Sequence, residues 1–187
     1  FGEIADYRGV TEPCNLMHME RKMRAAGLSD IWPRMVRATG ENALQCYRAE
    51  VEAAMCTEGY SGISLLSLQD FPGQGTALVG MMNAHLRPKP YPFADPARFA
   101  AFFRDVLPLA LLPRFVFTSG EEVCFPVRIA NYGKAGLEGP CAWSLSGDGV
   151  SLPGETASLR VPAGSLSGDL EICFRLPDLP AAARLDL

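Results

Sequence analysis

Three polar side chains, Gln69, Asp70 and Gln74, follow closely where the apolar stretch 63–68 ends. Gly73, Gly75 and Gly80 surround them and permit close backbone approach. Ile63, Leu65, Leu66 and Leu68 make a short, mostly apolar run, as a strand buried on both faces requires. In parallel α/β folds, sites are built at the carboxyl ends of such strands. The competing reading is a loop in which Asp70 and the glutamines only satisfy backbone groups.

Other chemistries find no support. Gly73 and Gly75 are followed by Leu78 where a dinucleotide fingerprint needs glycine, and no phosphate-loop Gly-Lys-Ser/Thr exists. The Gly-x-Ser-x-Gly nucleophile elbow is absent. Glu50 and Glu52 are helical positions that do not face each other, and Glu121 and Glu122 sit in a turn. Asp70 is thus the one carboxylate in a site-like context, whereas glycoside hydrolysis uses a pair. The cysteines at 14, 46, 56, 124, 141 and 173 match no zinc framework and read as free buried thiols acting as small apolar residues. His18 and His85 read as surface or packing residues. No catalytic residue, metal or cofactor is expected within the chain.

The elements that would position the polar tip come in two textures. The first third is helical. Asn15 caps a helix running to about Ala26, where Gly27 stops it. A short helix over 31–38 ends at Gly40, and a longer one follows over 41–56. There Leu44, Tyr47, Val51 and Met55 form one apolar stripe. Asp95 and Pro96 form a strong helix start, and Phe99, Phe102, Phe103 and Val106 continue it at helical spacing. After Pro113 the pattern becomes β-prone, with short runs at 114–118, 123–130, 141–146, 157–161 and 170–176 separated by turns. Val123, Phe125, Val127 and Ile129 alternate with Cys124, Pro126, Arg128 and Ala130, as in a sandwich strand.

The chain's 187 residues are 48% hydrophobic and 20% charged, enough apolar material for a core. A net charge of −4 gives no electrostatic footprint for nucleic acid. No apolar run reaches the roughly eighteen residues of a membrane span. The opening Phe1-Gly-Glu-Ile4 carries neither initiator Met nor leader pattern, so an excised or processed segment is expected.

The segment Gly62-Ile-Ser-Leu-Leu-Ser-Leu-Gln-Asp-Phe-Pro-Gly-Gln-Gly-Thr-Ala-Leu-Val-Gly80 resembles the last-strand segment of a branch of glycoside hydrolase family 2, the β-galactosidase-like enzymes. The resemblance extends to Asp6-Tyr-Arg-Gly9, to Cys46-Tyr-Arg-Ala-Glu50 with Val51 and Glu52, and downstream to residues 108–118 and 127–133. It is strong over 62–80 and weak after about 135.

The resemblance implies an α+β chain: a helix-rich partial (β/α) barrel segment over 1–110, then an incomplete immunoglobulin-like β-sandwich over 111–187. Residues 1–59 would lie between barrel strands seven and eight, 62–70 would be strand eight, and 94–106 would close the barrel. The family's two catalytic glutamates map to no position here, so the isolated chain is expected to be inactive. What carries over is substrate binding. Gln69, Asp70 and Gln74 would hydrogen-bond sugar hydroxyls or orient a catalytic carboxylate. Phe71 would face a sugar ring, with core packing as its alternative. The expected partner is a carbohydrate substrate of the parent protein, which would be secreted or periplasmic. An unpaired barrel strand also predicts a homo-oligomer. Two rival readings remain: a carbohydrate-binding module using Trp143 or Tyr132 as a sugar platform, and a scaffold presenting helices 15–26 and 41–56 to a partner.

Overall fold

Two compact units, the first mostly helical and the second mostly strand, make the chain an α+β protein. The computed structural model describes residues 1–8, 12–71 and 78–187. One unit comprises Phe1–Val51 and Ser61–Phe103; the other comprises Glu52–Tyr60 and Arg104–Leu187.

In the first unit, α1 (Cys14–Ala25) begins one residue earlier than expected. Asn15 lies inside it and accepts only from the neighbouring Leu16 N–H. The C-terminal stop is as expected. Gly27 adopts φ +68, and the Leu28 and Gly27 N–H groups donate to the Met23 and Arg24 carbonyls. That pair of bonds is the Schellman closure, which a left-handed glycine makes without steric cost.

The second helix corrects the sequence reading. α2 (Trp32–Met55) is continuous through Gly40, where a stop was expected. A Cβ at Gly40 would overlap the Phe93 ring, so this glycine is a packing notch. Leu44 and Val51 are buried, as the apolar stripe requires.

The barrel segment does not appear among the described residues. The expected strand at 62–70 has no ladder, only a parallel bridge from Gln69 to Met82, which is itself bridged to Pro88. Leu66 is 87% exposed and Ser67 has φ +66, neither compatible with a strand buried on both faces. An apolar run becomes such a strand only when neighbours satisfy both of its edges.

The helix at Asp95 is also shorter than its periodicity suggested. Asp95 Oδ1 accepts the Ala97 N–H at 2.9 Å, capping α3 (Pro96–Ala100). Phe102 then turns into the interior, and Val106 opens a strand instead of completing the helical face. Arg98 makes a bidentate pair with Glu41 at 2.7 and 2.8 Å, fixing α3 against α2.

The second unit is built on β2 (Glu122–Asn131). β1 (Val106–Ala110) pairs antiparallel along one edge; β7 (Ser165–Leu166) and β8 (Leu170–Arg175) share the other. Pro108 is tolerated because β1 is an edge strand. Two further ladders join β3 (Leu137–Gly139) to β6 (Leu159–Val161) and β4 (Ala142–Gly147) to β5 (Val150–Glu155). One face of β2 supplies Val123, Phe125, Val127 and Ile129 to a core with Val161 and Ile172, packed by Leu137 and Trp143. Towards its end the opposite face is covered too: Ala130 packs with Leu107, Leu109, Met55 and Cys56.

Three features of this unit depart from expectation. β1, β3, β5 and β7 form outside the anticipated runs. Residues 114–118 form no strand, and Phe115 and Val116 are 89% and 80% exposed. The cysteines are not all free buried thiols: Cys124 and Cys173 are solvent-facing and joined in a disulfide. Cys14 and Cys46 are free but exposed, and Cys56 and Cys141 are partly buried. Strand alternation explains Cys124, which points away from the face that buries Val123 and Phe125.

Candidate functional site

Asp70 is the centre of the first unit's polar chemistry, and it is only 2% exposed. Its backbone N–H donates to the Met82 carbonyl, and the Met82 N–H donates to the Leu68 carbonyl. These two bonds pair Leu68 and Asp70 with Met82. The Asp70 carboxylate then accepts the Gly80 N–H at 2.8 Å and the Lys89 ammonium at 3.0 Å. The second carboxylate oxygen is also 3.0 Å from Lys89 Nζ.

Gly80 is required for this closure. A Cβ there would stand 2.5 Å from the Gln69 carbonyl carbon and 2.7 Å from the Asp70 nitrogen. Lys89 is held in turn by its own N–H, which donates to the Met81 carbonyl. Nearby, buried Asn83 organises the turn before Lys89. Its Oδ1 accepts the His85 and Arg87 N–H groups, which supports the left-handed Leu86 at φ +61.

Two phenols feel the Asp70 charge. The Tyr7 hydroxyl is pushed above its usual range, first by burial and then by the Glu3 and Asp70 carboxylates. Tyr47 is raised in the same way by burial, then Glu50, then Asp70. Both are therefore neutral hydrogen-bonding groups at physiological pH. Tyr47 donates to the Ser67 carbonyl at 3.2 Å, holding the chain just ahead of the polar tip. The Tyr7 hydroxyl is buried with no hydrogen-bond partner among the described residues, while its ring meets His85 edge-on at 4.8 Å.

The sequence-predicted residues thus divide. Asp70 is buried and its oxygens are engaged by the protein. Gln69 and Phe71, on either side, face solvent, with Phe71 56% exposed. Gln74 lies outside the described residues, as do Gly9, Gly73 and Gly75. Sequence reasoning missed Lys89, Tyr7 and Tyr47. Only Gly80, which closes the 62–80 segment, hinted at the tight crossing. In the second unit, Trp143 is no free platform: it packs on Phe174 at 5.3 Å and fills the space above Gly154. Tyr132 is 36% exposed.

The arrangement can present an amide and an aromatic ring from an internally anchored turn. No helix among the described residues is long and apolar enough to cross a membrane. No protein-family model matches the chain, and a search of curated proteins finds no match.

Proposed function

We propose that residues 61–71 and 78–90 form part of the saccharide-binding rim of a family 2-like glycoside hydrolase, of which this chain is a C-terminal part. In this reading the first unit is the segment that would complete a (β/α) barrel in the parent, its residues 62–70 making no strand ladder on their own. The second is the beginning of the following immunoglobulin-like sandwich. The observation that carries it is the tethering of Asp70 by Lys89 and Gly80, with Gln69 and Phe71 turned outward on either side. An amide that donates and accepts, next to an exposed aromatic face, suits sugar hydroxyls and the apolar face of a pyranose.

The assignment of roles follows from burial. Gln69 and Phe71 contact the sugar. Asp70 positions them, because its carboxylate already has three hydrogen-bonding contacts within the protein. The bond-breaking carboxylates belong to the parent, since family 2 enzymes cleave with two glutamates through an oxocarbenium-like transition state and neither maps here.

The test compares the 187-residue chain with the parent. Assayed against a panel of nitrophenyl glycosides, the isolated chain should leave each of them intact. The parent should cleave at least one of them, and Phe71→Ala or Gln69→Ala in the parent should raise KM for that glycoside. Turnover by the isolated chain that Asp70→Ala abolishes would sink the reading, as would a parent that binds and cleaves no glycan.

A further inference from the structure

The exposed face of the β2–β8 ladder carries three metal-binding side chains in one small cluster. Cys124 stands directly across from Cys173, and Glu171 stands across from Pro126. Side chains two apart on a strand share a face, so Glu171 and Cys173 both project beside Cys124. Their ligand atoms all lie within 4.8 Å of one another, and all three residues are exposed. Pro126 offers the Glu171 carboxylate no donor, and no hydrogen bond or ion pair engages that carboxylate among the described residues. Of the other charged groups on this face, Glu122 stands across from Arg175, two positions from Cys124. Arg128 is paired with Asp169, and Arg175 donates to the Gly120 carbonyl.

We propose that the Cys124–Cys173 bridge masks a metal site: when it is reduced, the two thiolates and the Glu171 carboxylate bind one zinc-like cation. The geometry needs little rearrangement. Ligand atoms on one tetrahedral zinc stand about 3.5–3.8 Å apart, given Zn–S and Zn–O bonds of about 2.3 and 2.1 Å. Cys124 and Cys173, whose Cα atoms are only 4.2 Å apart, reach that separation by side-chain rotation once the sulfur–sulfur bond is open. Two thiolates select a soft or borderline cation over magnesium or calcium, and solvent fills the fourth position.

The exchange balances simply. A dithiol reductant transfers two electrons and two protons to the sulfur–sulfur bond and becomes a disulfide itself. The cation then displaces both thiol protons to solvent. Disulfide and metal are mutually exclusive, so the site binds only under reducing conditions. This inference is independent of the saccharide reading.

The experiment uses the full chain. Free thiols are alkylated while the bridge is closed, the bridge is then opened with a phosphine, and cadmium is titrated under argon. The ultraviolet thiolate-to-cadmium band should grow to one equivalent in the opened chain and be absent from the closed one. Glu171→Gln should keep the band and weaken binding by about tenfold or more, as loss of a metal-supporting carboxylate does. Far-ultraviolet circular dichroism reports whether the opened chain keeps its strands. The proposal is overturned if opened and closed chains titrate alike, or if Glu171→Gln binds as tightly as the wild type. Loss of the β signal with cadmium present overturns it too.

Discussion

Lys89 Nζ lies 3.0 Å from both carboxylate oxygens of Asp70, a residue nineteen positions earlier in the chain. The Asp70 side chain is 3% exposed and that of Lys89 18%, so the pair is largely withdrawn from water. Removing the cation leaves a buried anion with one backbone donor. Lys89→Met should therefore destabilise the first unit by about 3 kcal/mol, near the lower end for broken buried pairs because Lys89 keeps some solvent contact. Asp70→Asn, which still accepts the Gly80 N–H, should cost less. Urea unfolding of both variants checks the order; an unchanged midpoint for Lys89→Met would show the pair to be incidental.

Gly40 gives a sharper steric test. Alanine favours a helix interior over glycine by about 1 kcal/mol. Here the added methyl would meet the Phe93 ring, which is itself 3% exposed and cannot move into solvent freely. Overpacking of this kind costs about 1–3 kcal/mol, so Gly40→Ala should be net destabilising. Adding Phe93→Leu should recover part of the loss in thermal unfolding. A stabilised Gly40→Ala single variant would contradict the packing role.

The Tyr7 phenol sets an alkaline limit. Its folded-state value is raised, mainly by burial, above the ordinary value of 10.0. Below that value the phenol is neutral in both states and contributes nothing pH-dependent. As pH climbs past it, the unfolded chain ionises first, the folded state retains more protons, and stability falls. Tyr7→Phe removes this loss, and it also removes a buried hydroxyl that has no partner among the described residues. It should match or exceed the wild type in urea at about pH 8 and lose less stability by about pH 10.5. Equal losses in the two proteins would contradict the assignment.

The Cys124–Cys173 bridge spans 49 residues and ties β2 to β8. Closing a loop of that size in the unfolded chain stabilises the fold by about 2–4 kcal/mol. The Cys124→Ser, Cys173→Ser double variant should lose that much in denaturant melts. Dithiothreitol should lower wild-type stability and leave the double variant unchanged.

Self-association should depend on the first unit's bare apolar segment. Ile63, Leu66 and Leu68 are 37%, 87% and 40% exposed, and no ladder covers their backbone among the described residues. Unsatisfied apolar chain of this kind recruits another copy. Light scattering should show concentration-dependent oligomers that Leu66→Lys weakens. A strictly monomeric wild type would refute this expectation.

The features legible from the chain alone were local ones. Gly27 ended α1 and Asp95 capped α3, because those bonds form between residues a few positions apart. The alternation of Val123, Phe125, Val127 and Ile129 identified β2 and its buried face, because a strand's two faces are written in its own residues. Gln69, Asp70 and Gln74 were legible as a polar cluster, but not the division of Gln69 and Asp70 into an exposed neighbour and a buried anchor. Only the tertiary structure turned Gly40 from a stop into a seat for Phe93. It alone placed Cys124 opposite Cys173, assigned Lys89 to Asp70, and left 62–68 without a ladder. Each of those outcomes depends on which distant segment arrives alongside. Capping and periodicity are properties of contiguous chain, whereas ion pairs, disulfides and strand ladders need a partner that the local pattern does not name.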